Sequence, residues 1–113
     1  MLSALEIYRF ARMAGFSPDQ AVTMTAVALA ESGGNPGAHN PNGENSQGLW
    51  QINVAAHTDL DGTNLYDPLT NAQAAFRVSE EGQDMSPWTT THGSDARYLN
   101  FRAEAEAAAR LAG

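Results

Sequence analysis

The strongest constraint in this sequence is one stretch that is apolar on nearly every face of a helix. Residues 21–30 read AVTMTAVALA, and only Thr23 and Thr25 interrupt the apolar pattern. A helix that is hydrophobic all round is usually buried inside a protein. We therefore expect residues 21–30 to form a buried helix.

Local signals mark both ends of this helix. Ser17 is predicted as its N-cap, Pro18 occupies the first turn, and Gln20 completes a capping box with Ser17. The helix is predicted to end at Glu31-Ser32, because the Gly33-Gly34 pair that follows disfavours further helix.

The rest of the chain is predicted to be mainly helical, with one small β element. A first helix covers residues 3–14 and stops at Gly15. A turn-rich segment is predicted over 35–47, a short strand over 48–53 and further turns over 55–66. A helix is predicted from Asp67-Pro68 to Gly82, and its inner face consists of Leu69, Ala72, Ala75 and Phe76. A connector over 84–93 then leads to a last helix that Ser94 caps and that ends at Ala112. The pattern predicts a single α+β domain over residues 1–113, mainly α.

Composition excludes several classes of protein. The 113 residues include no cysteine, so a disulfide framework and a thiolate metal site are excluded. The 6 basic and 13 acidic residues give a net charge of −7, which argues against nucleic-acid partners and against an anionic membrane surface. The N-terminal stretch 1–15 carries Glu6, Arg9 and Arg12 within an apolar pattern, which indicates a helix rather than a signal peptide.

The carboxyl group of Glu31 stands at the end of the apolar helix. The helix dipole is negative at that end, and apolar surroundings desolvate a charge, so both effects are expected to raise the pKa of Glu31. A carboxylic acid that is still protonated near neutral pH can donate a proton to a leaving group. The alternative interpretation is a glutamate that merely ends an exposed helix.

Two stretches together resemble the lysozyme-like superfamily, which includes animal lysozymes, goose-type lysozymes and the lytic transglycosylases of bacteria and phages. They are Glu31-Ser32 at the end of the apolar helix and Gly48-Leu49-Trp50-Gln51 after a loop rich in Asn and Gly. The stretches NLYDPLTNAQAAF at 64–76 and DMSPW at 84–88 are also similar to the helix and connector of that superfamily. The resemblance implies a lysozyme-like fold with a small β-hairpin beside the catalytic helix, and it implies that Glu31 is the catalytic acid.

The resemblance breaks where animal lysozymes carry a second carboxylate, because this chain has Ser46 there. The nearest acidic residue, Glu44, is either a displaced second carboxylate or a solvated loop residue. In lytic transglycosylases one Glu suffices, since the C6 hydroxyl of N-acetylmuramic acid attacks C1 within the substrate. We therefore expect a peptidoglycan lytic transglycosylase that cleaves the MurNAc-β-1,4-GlcNAc bond and leaves 1,6-anhydro ends. The alternatives are a muramidase that uses water and a non-catalytic cell-wall-binding or virion module.

Five residues are predicted to bind the substrate: Ser46, Gln51, Asn53, Trp88 and Tyr98. Gln51 and Asn53 are expected to reach N-acetyl groups from the strand, and Ser46 is expected to donate toward the sugar or Glu31. By the resemblance, Trp88 packs against Glu31 and desolvates it; the alternative is an ordinary core tryptophan. Tyr98 resembles a late tyrosine that faces the catalytic Glu in bacterial transglycosylases, with a core tyrosine as the alternative.

No metal site and no cofactor are predicted. His39, His57 and His92 are far apart in the sequence, and DLDG at 59–62 lacks the ligand spacing of a calcium loop, so that stretch is interpreted as a turn. The expected partner is the peptidoglycan glycan strand, with no nucleic acid and no membrane. We expect a monomer or one domain of a larger protein that acts on the bacterial cell wall outside the cytoplasm, as a virion-associated or endolysin domain of a phage.

Overall fold

The computed structural model describes residues 1–41, 45–91 and 96–113. Its α-helices are α1 (Ala4–Ala14), α2 (Pro18–Ser32), α3 (Pro68–Val78) and α4 (Arg102–Ala112), and short 3-10 helices cover Thr58–Leu60, Thr89–Thr91 and Arg97–Phe101. An antiparallel sheet has the order β1 (His39–Asn40), β2 (Ser46–Gln47), β3 (Ile52–Asn53). This confirms the predicted mainly α, α+β class. Along the described residues, no helix has the length and apolar character needed to cross a membrane.

The two N-terminal helices begin and end at local signals. Ser17 and Gln20 form the predicted capping box at the start of α2, and Gly33 ends that helix in a left-handed conformation with φ of 65°. Ser3 and Glu6 form a second capping box at the start of α1, which the sequence analysis did not identify. The predicted helices α1 and α2 are confirmed. Their ends could be predicted because capping boxes and C-terminal glycines act within a few residues of the helix end.

Helix α2 is the buried centre of the fold, as its apolar composition predicts. It packs against α1, against α4 and against the 3-10 helix over Arg97–Phe101. The buried residues of α2 are Ala21, Met24, Thr25, Ala26, Val27, Ala28 and Leu29. Thr25 is accommodated in this core because its hydroxyl donates to the carbonyl of Ala21 at 2.7 Å, one turn earlier.

The predicted strand over residues 48–53 is confirmed only for its last two residues, which form β3. The structure has a hairpin in which β2 and β3 pair with Gln47 opposite Ile52, and residues 48–51 form the turn between them. Gly48 and Gln51 have φ values of 82° and 47°, and the amide N–H of Gln51 donates to the carbonyl of Gly48 at 3.0 Å. A left-handed backbone at both positions closes a turn and is incompatible with an extended strand.

Helix α3 ends earlier than predicted. Asp67 caps its start as expected, but the helix stops at Val78 rather than at Gly82. The reason is that Glu80 and Glu81 both have positive φ, which interrupts a right-handed helix. Its buried face consists of Asn71, Ala72, Ala74 and Ala75, whereas Leu69 and Phe76 are only partly buried.

The C-terminal helix also differs from the prediction. Helix α4 begins at Arg102, and the five residues before it form a 3-10 helix over Arg97–Phe101. The predicted cap, Ser94, lies outside the described residues. The buried residues of α4 are Ala105 and Ala108, so the alanine-rich stretch presents small side chains to the core.

Candidate active site

Glu31 lies in the last turn of α2 and is partly buried. Its Oε2 accepts a hydrogen bond of 2.9 Å from the hydroxyl of Thr90, which is 59 residues further along the chain. The last turn of α2 has no basic residue. The carboxyl group is therefore held at the negative end of a buried helix by a neutral donor from a distant segment.

Thr90 belongs to a short 3-10 helix, Thr89–Thr91, and its side chain is 1% exposed. Its neighbours on both sides fasten this segment. The hydroxyl of Thr91 donates to the carbonyls of Trp88 and Met85, at 2.7 and 3.1 Å. The indole N–H of Trp88 donates to the carbonyl of Trp50 at 2.7 Å. The position of the Thr90 hydroxyl is thus fixed by its own segment.

Trp50 connects the hairpin turn to the same helix that carries Glu31. Its side chain is fully buried, and its indole N–H donates to the carbonyl of Met24 at 2.8 Å. Met24 and Glu31 lie about two turns apart on α2. With Trp88 bound to Trp50 and Thr90 bound to Glu31, the connector is attached to α2 twice, once directly and once through the hairpin.

Asn71 on α3 holds the hairpin turn in place. This fully buried amide accepts a hydrogen bond from the backbone N–H of Trp50 at 2.9 Å. Its Nδ2 donates to the carbonyls of Gln47 and Leu65, at 2.9 and 2.8 Å. A Cβ at Gly48 would lie only 2.2 Å from Asn71 Nδ2. The glycine of the GLWQ stretch is therefore required by a close approach as well as by its positive φ.

A small cleft runs between the hairpin and the connector. Three of the predicted substrate contacts line it, namely Gln51, Asn53 and Trp88, and His57 lines it as well. Trp88 is 3% exposed, so it presents little of its ring to the cleft. Its packing against Glu31 stays a prediction, and the observed link between the two side chains runs through Thr90.

Two of these side chains also form bonds within the protein. Nε2 of Gln51 donates to the carbonyls of Ala38 and Gly48, at 3.1 and 2.9 Å, and so braces the turn. Oδ1 of Asn53 accepts from the backbone N–H of Ala56 at 3.2 Å. Both residues are partly buried at the edge of the hairpin. A glycan that contacts their side-chain amides would therefore bind groups that already form hydrogen bonds within the protein.

Ser46 lies in β2, where it pairs with Asn40 and Asn53, and it is 3% exposed. The serine that the resemblance sets against the second carboxylate of animal lysozymes is therefore buried. The other candidate, Glu44, lies outside the described residues.

Tyr98 does not join the cleft. It lies in the 3-10 helix before α4 and lines a separate cavity with Thr23, Met85, Ser86 and Thr91. Thr91 follows Thr90 directly, so this cavity adjoins the segment that holds Glu31. The predicted role of Tyr98 as a substrate contact stays a prediction.

Among residues 1–41, 45–91 and 96–113, no three His, Asp or Glu side chains lie close enough together to hold a metal ion. The residues that sequence reasoning missed are Thr90 and Asn71. Thr90 stands in a run of three threonines with no local signal, and Asn71 lies within a helix that was interpreted from its apolar residues alone.

Comparison with known protein families gives a match over most of the chain. A family model described as a lysozyme-like domain matches residues 8–90 of the 113 residues. The matched range contains the end of α2, the hairpin, α3 and the connector up to Thr90. No curated protein and no solved structure matches the chain significantly.

Proposed function

Because the chain belongs to the lysozyme-like domain family, we propose that it is a peptidoglycan lytic transglycosylase in which Glu31 is the catalytic acid and base. The family membership itself supports a lysozyme-like enzyme that acts on peptidoglycan. The assignment of Glu31 as the catalytic residue depends on its surroundings, and the choice of transglycosylase over hydrolase depends on the serine at position 46.

One observation carries the assignment of Glu31. Glu31 is partly buried at the C-terminal end of α2, and its carboxyl group accepts a hydrogen bond from the hydroxyl of Thr90, a residue that is itself 1% exposed. A glutamate that merely ended an exposed helix would need no partner brought from 59 residues away. General acids are commonly carboxyl groups that the protein removes in part from water and holds in one orientation.

The proposed reaction uses this single carboxyl group twice. Glu31 protonates the glycosidic oxygen between N-acetylmuramic acid and N-acetylglucosamine, and the bond from C1 to that oxygen breaks. The C6 hydroxyl of the same muramic acid then attacks C1, and its proton returns to the Glu31 carboxylate. The product carries a 1,6-anhydro ring, no water is consumed, and Glu31 regains its starting protonation state.

Ser46 supports this outcome over hydrolysis. A retaining or inverting glycosidase places a second carboxyl group across the scissile bond, as nucleophile or as base for water. The corresponding position here is a buried serine in β2. An internal hydroxyl of the substrate reacts with high effective molarity and so reduces the need for a second protein carboxylate.

The test is mass spectrometry of digested peptidoglycan. We expect muropeptides that are lighter by one water than the hydrolysis products, and Glu31→Gln should abolish their release. The control is Glu104→Gln, the same substitution on the exposed side of α4, which should leave the products unchanged. Products with intact reducing ends would assign a muramidase instead. Equal digestion by the wild type and the Glu31→Gln variant would overturn the assignment of Glu31, and no digestion by the wild type would indicate a non-catalytic module.

A further inference from the structure

A cavity of about 370 Å³ lies where helices α1 and α4 end. Its lining residues are Tyr8, Arg9, Arg12, Met13, Ala112 and Gly113. We propose that this cavity binds the carboxyl end of a peptide stem of peptidoglycan, and the choice of this ligand rests on the proposed function. Such a site would hold the polymer at a point where no bond is broken.

The cavity is separate from the candidate active site. The backbone N–H of Leu2, just before α1, donates to the carbonyl of Gly34 at 2.9 Å, so the beginning of α1 adjoins the end of α2 that carries Glu31. The second half of α1 lines the cavity, and the 11 residues of that helix span about 16 Å. The cavity therefore lies toward the opposite end of α1 from Glu31.

The hydroxyl of Tyr8 opens into this cavity. Tyr8 is only 5% exposed, and it lines the cavity from α1. Within residues 1–41, 45–91 and 96–113, every fully buried side-chain oxygen or nitrogen atom has a hydrogen-bond partner, whereas the Tyr8 hydroxyl has none. The hydroxyl is therefore the accessible tip of a buried side chain. A phenol held in this way is a fixed donor for an acceptor that enters the cavity.

Two arginines supply the charge of the site. Arg9 and Arg12 are exposed, and neither forms an ion pair or a hydrogen bond with the part of the chain that the structure describes. The acidic residue one turn before Arg9 is Glu6, whose carboxylate instead accepts from the backbone N–H of Ser3 at 2.9 Å. Residues three apart are neighbours on a helix surface, so both guanidinium groups can reach one anion. Guanidinium groups match the geometry of a carboxylate.

The helix ends favour a carboxylate over a phosphate. Helices α1 and α4 both finish at the cavity, and the negative pole of each offsets part of the charge of the two arginines. A single negative charge therefore balances this site better than a dianion does.

The apolar part of the lining favours a small residue beside that carboxylate. Met13 is 60% exposed, and Ala112 adds a methyl group to the same cavity. The peptide stems of peptidoglycan commonly end in D-alanine, whose methyl group stands next to a free carboxylate. The volume of the cavity is at the small end of the range for ligand sites, which suits one or two such residues.

The test is an NMR titration of isotope-labelled protein with acetyl-D-alanyl-D-alanine. We expect saturable shifts of the backbone amides in 8–13 and 110–113. The same dipeptide with a C-terminal amide is the matched control, and it should bind at least about tenfold more weakly because it lacks the charge. The L,L isomer should also bind more weakly than the D,D isomer.

Variants then assign the shifts to the lining residues. The double variant Arg9→Gln, Arg12→Gln should weaken binding at least about tenfold, and Tyr8→Phe should weaken it about threefold or more. Arg77→Gln is the control, because Arg77 is an exposed arginine on α3 that does not line the cavity. It should leave binding unchanged. If Tyr8→Phe does not fold, the arginine variant decides alone.

Several results would overturn the proposal: no saturable shift with the acid, equal binding of acid and amide, or unchanged binding by the arginine variant. Inorganic phosphate that binds these residues more tightly than the dipeptide would overturn the choice of a carboxylate. An L,L isomer that binds as tightly as the D,D isomer would overturn the choice of the stem. Glu31→Gln should bind the dipeptide like the wild type, so failure of this site and failure of the proposed function are separate results.

Discussion

Trp88 donates its indole N–H to the backbone carbonyl of Trp50 at 2.7 Å, across 38 residues of chain. This bond joins the connector that carries Thr90 to the hairpin turn, and the side chain of Trp50 joins the turn to α2. The support of Glu31 is therefore a set of directional bonds between buried groups rather than apolar packing alone. Such bonds fix positions more sharply than packing does, since each has a preferred distance and angle.

Removal of the Trp88 donor should loosen this support. Trp88→Phe keeps an aromatic ring but leaves the carbonyl of Trp50 without the indole N–H and creates a small void. We expect the free energy of unfolding to fall by about 2–4 kcal/mol and the activity to fall with it. Urea unfolding measures the loss. Tyr66→Phe, on an aromatic side chain that is 40% exposed, should change stability by less than about 0.5 kcal/mol. A Trp88→Phe protein as stable as the Tyr66→Phe protein would contradict this account.

Gly48 should tolerate no side chain. Its φ of 82° is strained for any other residue, and an added Cβ would lie 2.2 Å from both Asn71 Nδ2 and the carbonyl oxygen of Leu65. We expect Gly48→Ala to cost about 3 kcal/mol or more. Gly62→Ala is a close control, because Gly62 has φ of 86° and nothing within 4 Å of the added Cβ. It should cost only the left-handed backbone penalty of about 1–2 kcal/mol. Equal losses at the two glycines, measured by urea unfolding, would show that the contact with Asn71 is unimportant.

Gln51 should prove to be a brace of the hairpin turn. Gln51→Glu replaces the Nε2 donor by an oxygen that faces the carbonyls of Ala38 and Gly48. We expect the free energy of unfolding to fall by about 1–3 kcal/mol. KM for soluble glycan should rise as well, because the same residue lines the cleft. Gln83→Glu, on an exposed side chain, is the matched control for the added charge. A stable variant whose KM alone rises would make Gln51 a substrate contact with no bracing role.

The predictions from sequence that were confirmed depend on short-range signals. The capping box of Ser17 and Gln20, the left-handed Gly33 and the apolar faces of α2 each act within a turn or two, so the residues themselves display them. Residues 48–53 were predicted as one strand because they contain a short apolar run, whereas only Ile52–Asn53 are in a strand. Nothing local shows that Gln51 adopts φ of 47°, a conformation that its bonds to Ala38 and Gly48 stabilise.

The support around the candidate site could not be predicted for a related reason. Thr90 and Asn71 are ordinary polar residues in sequence, and their roles arise only when segments 59 and 21 residues away are brought to them. Glu31 could be named as a candidate because its position at the end of an apolar helix and the resemblance of the neighbouring stretches to lysozyme-like proteins are both visible in the sequence. The residue that holds its carboxyl group could not, because a hydroxyl carries no sequence signal of its partner.

Asp67 gives the fold a pH-dependent contribution to stability. The carboxylate of Asp67 accepts a hydrogen bond from the backbone N–H of Thr70 at 3.0 Å and another from the Thr70 hydroxyl at 2.8 Å. Both bonds hold the pKa of Asp67 below its ordinary value of 3.8, and the bond from the backbone N–H has the larger effect. A carboxyl group whose pKa is lower in the folded state stabilises the fold fully above the unfolded pKa. That contribution is lost as the pH falls through the folded pKa. Asp67→Asn keeps an oxygen that can cap α3 but cannot ionise.

We therefore expect the wild type to be more stable than Asp67→Asn at neutral pH. The difference should shrink below about pH 4 and disappear once the pH is under the folded pKa of Asp67. Thermal unfolding between neutral pH and about pH 2.5 measures the gap. Thr70→Val removes the hydroxyl donor but keeps the backbone donor. In proteins that carry Thr70→Val, the stability difference between Asp67 and Asp67→Asn should therefore be smaller. A gap that stays constant with pH would mean that Asp67 stabilises α3 without any contribution from its charge. A gap that Thr70→Val leaves unchanged would mean that the Thr70 hydroxyl contributes nothing to it.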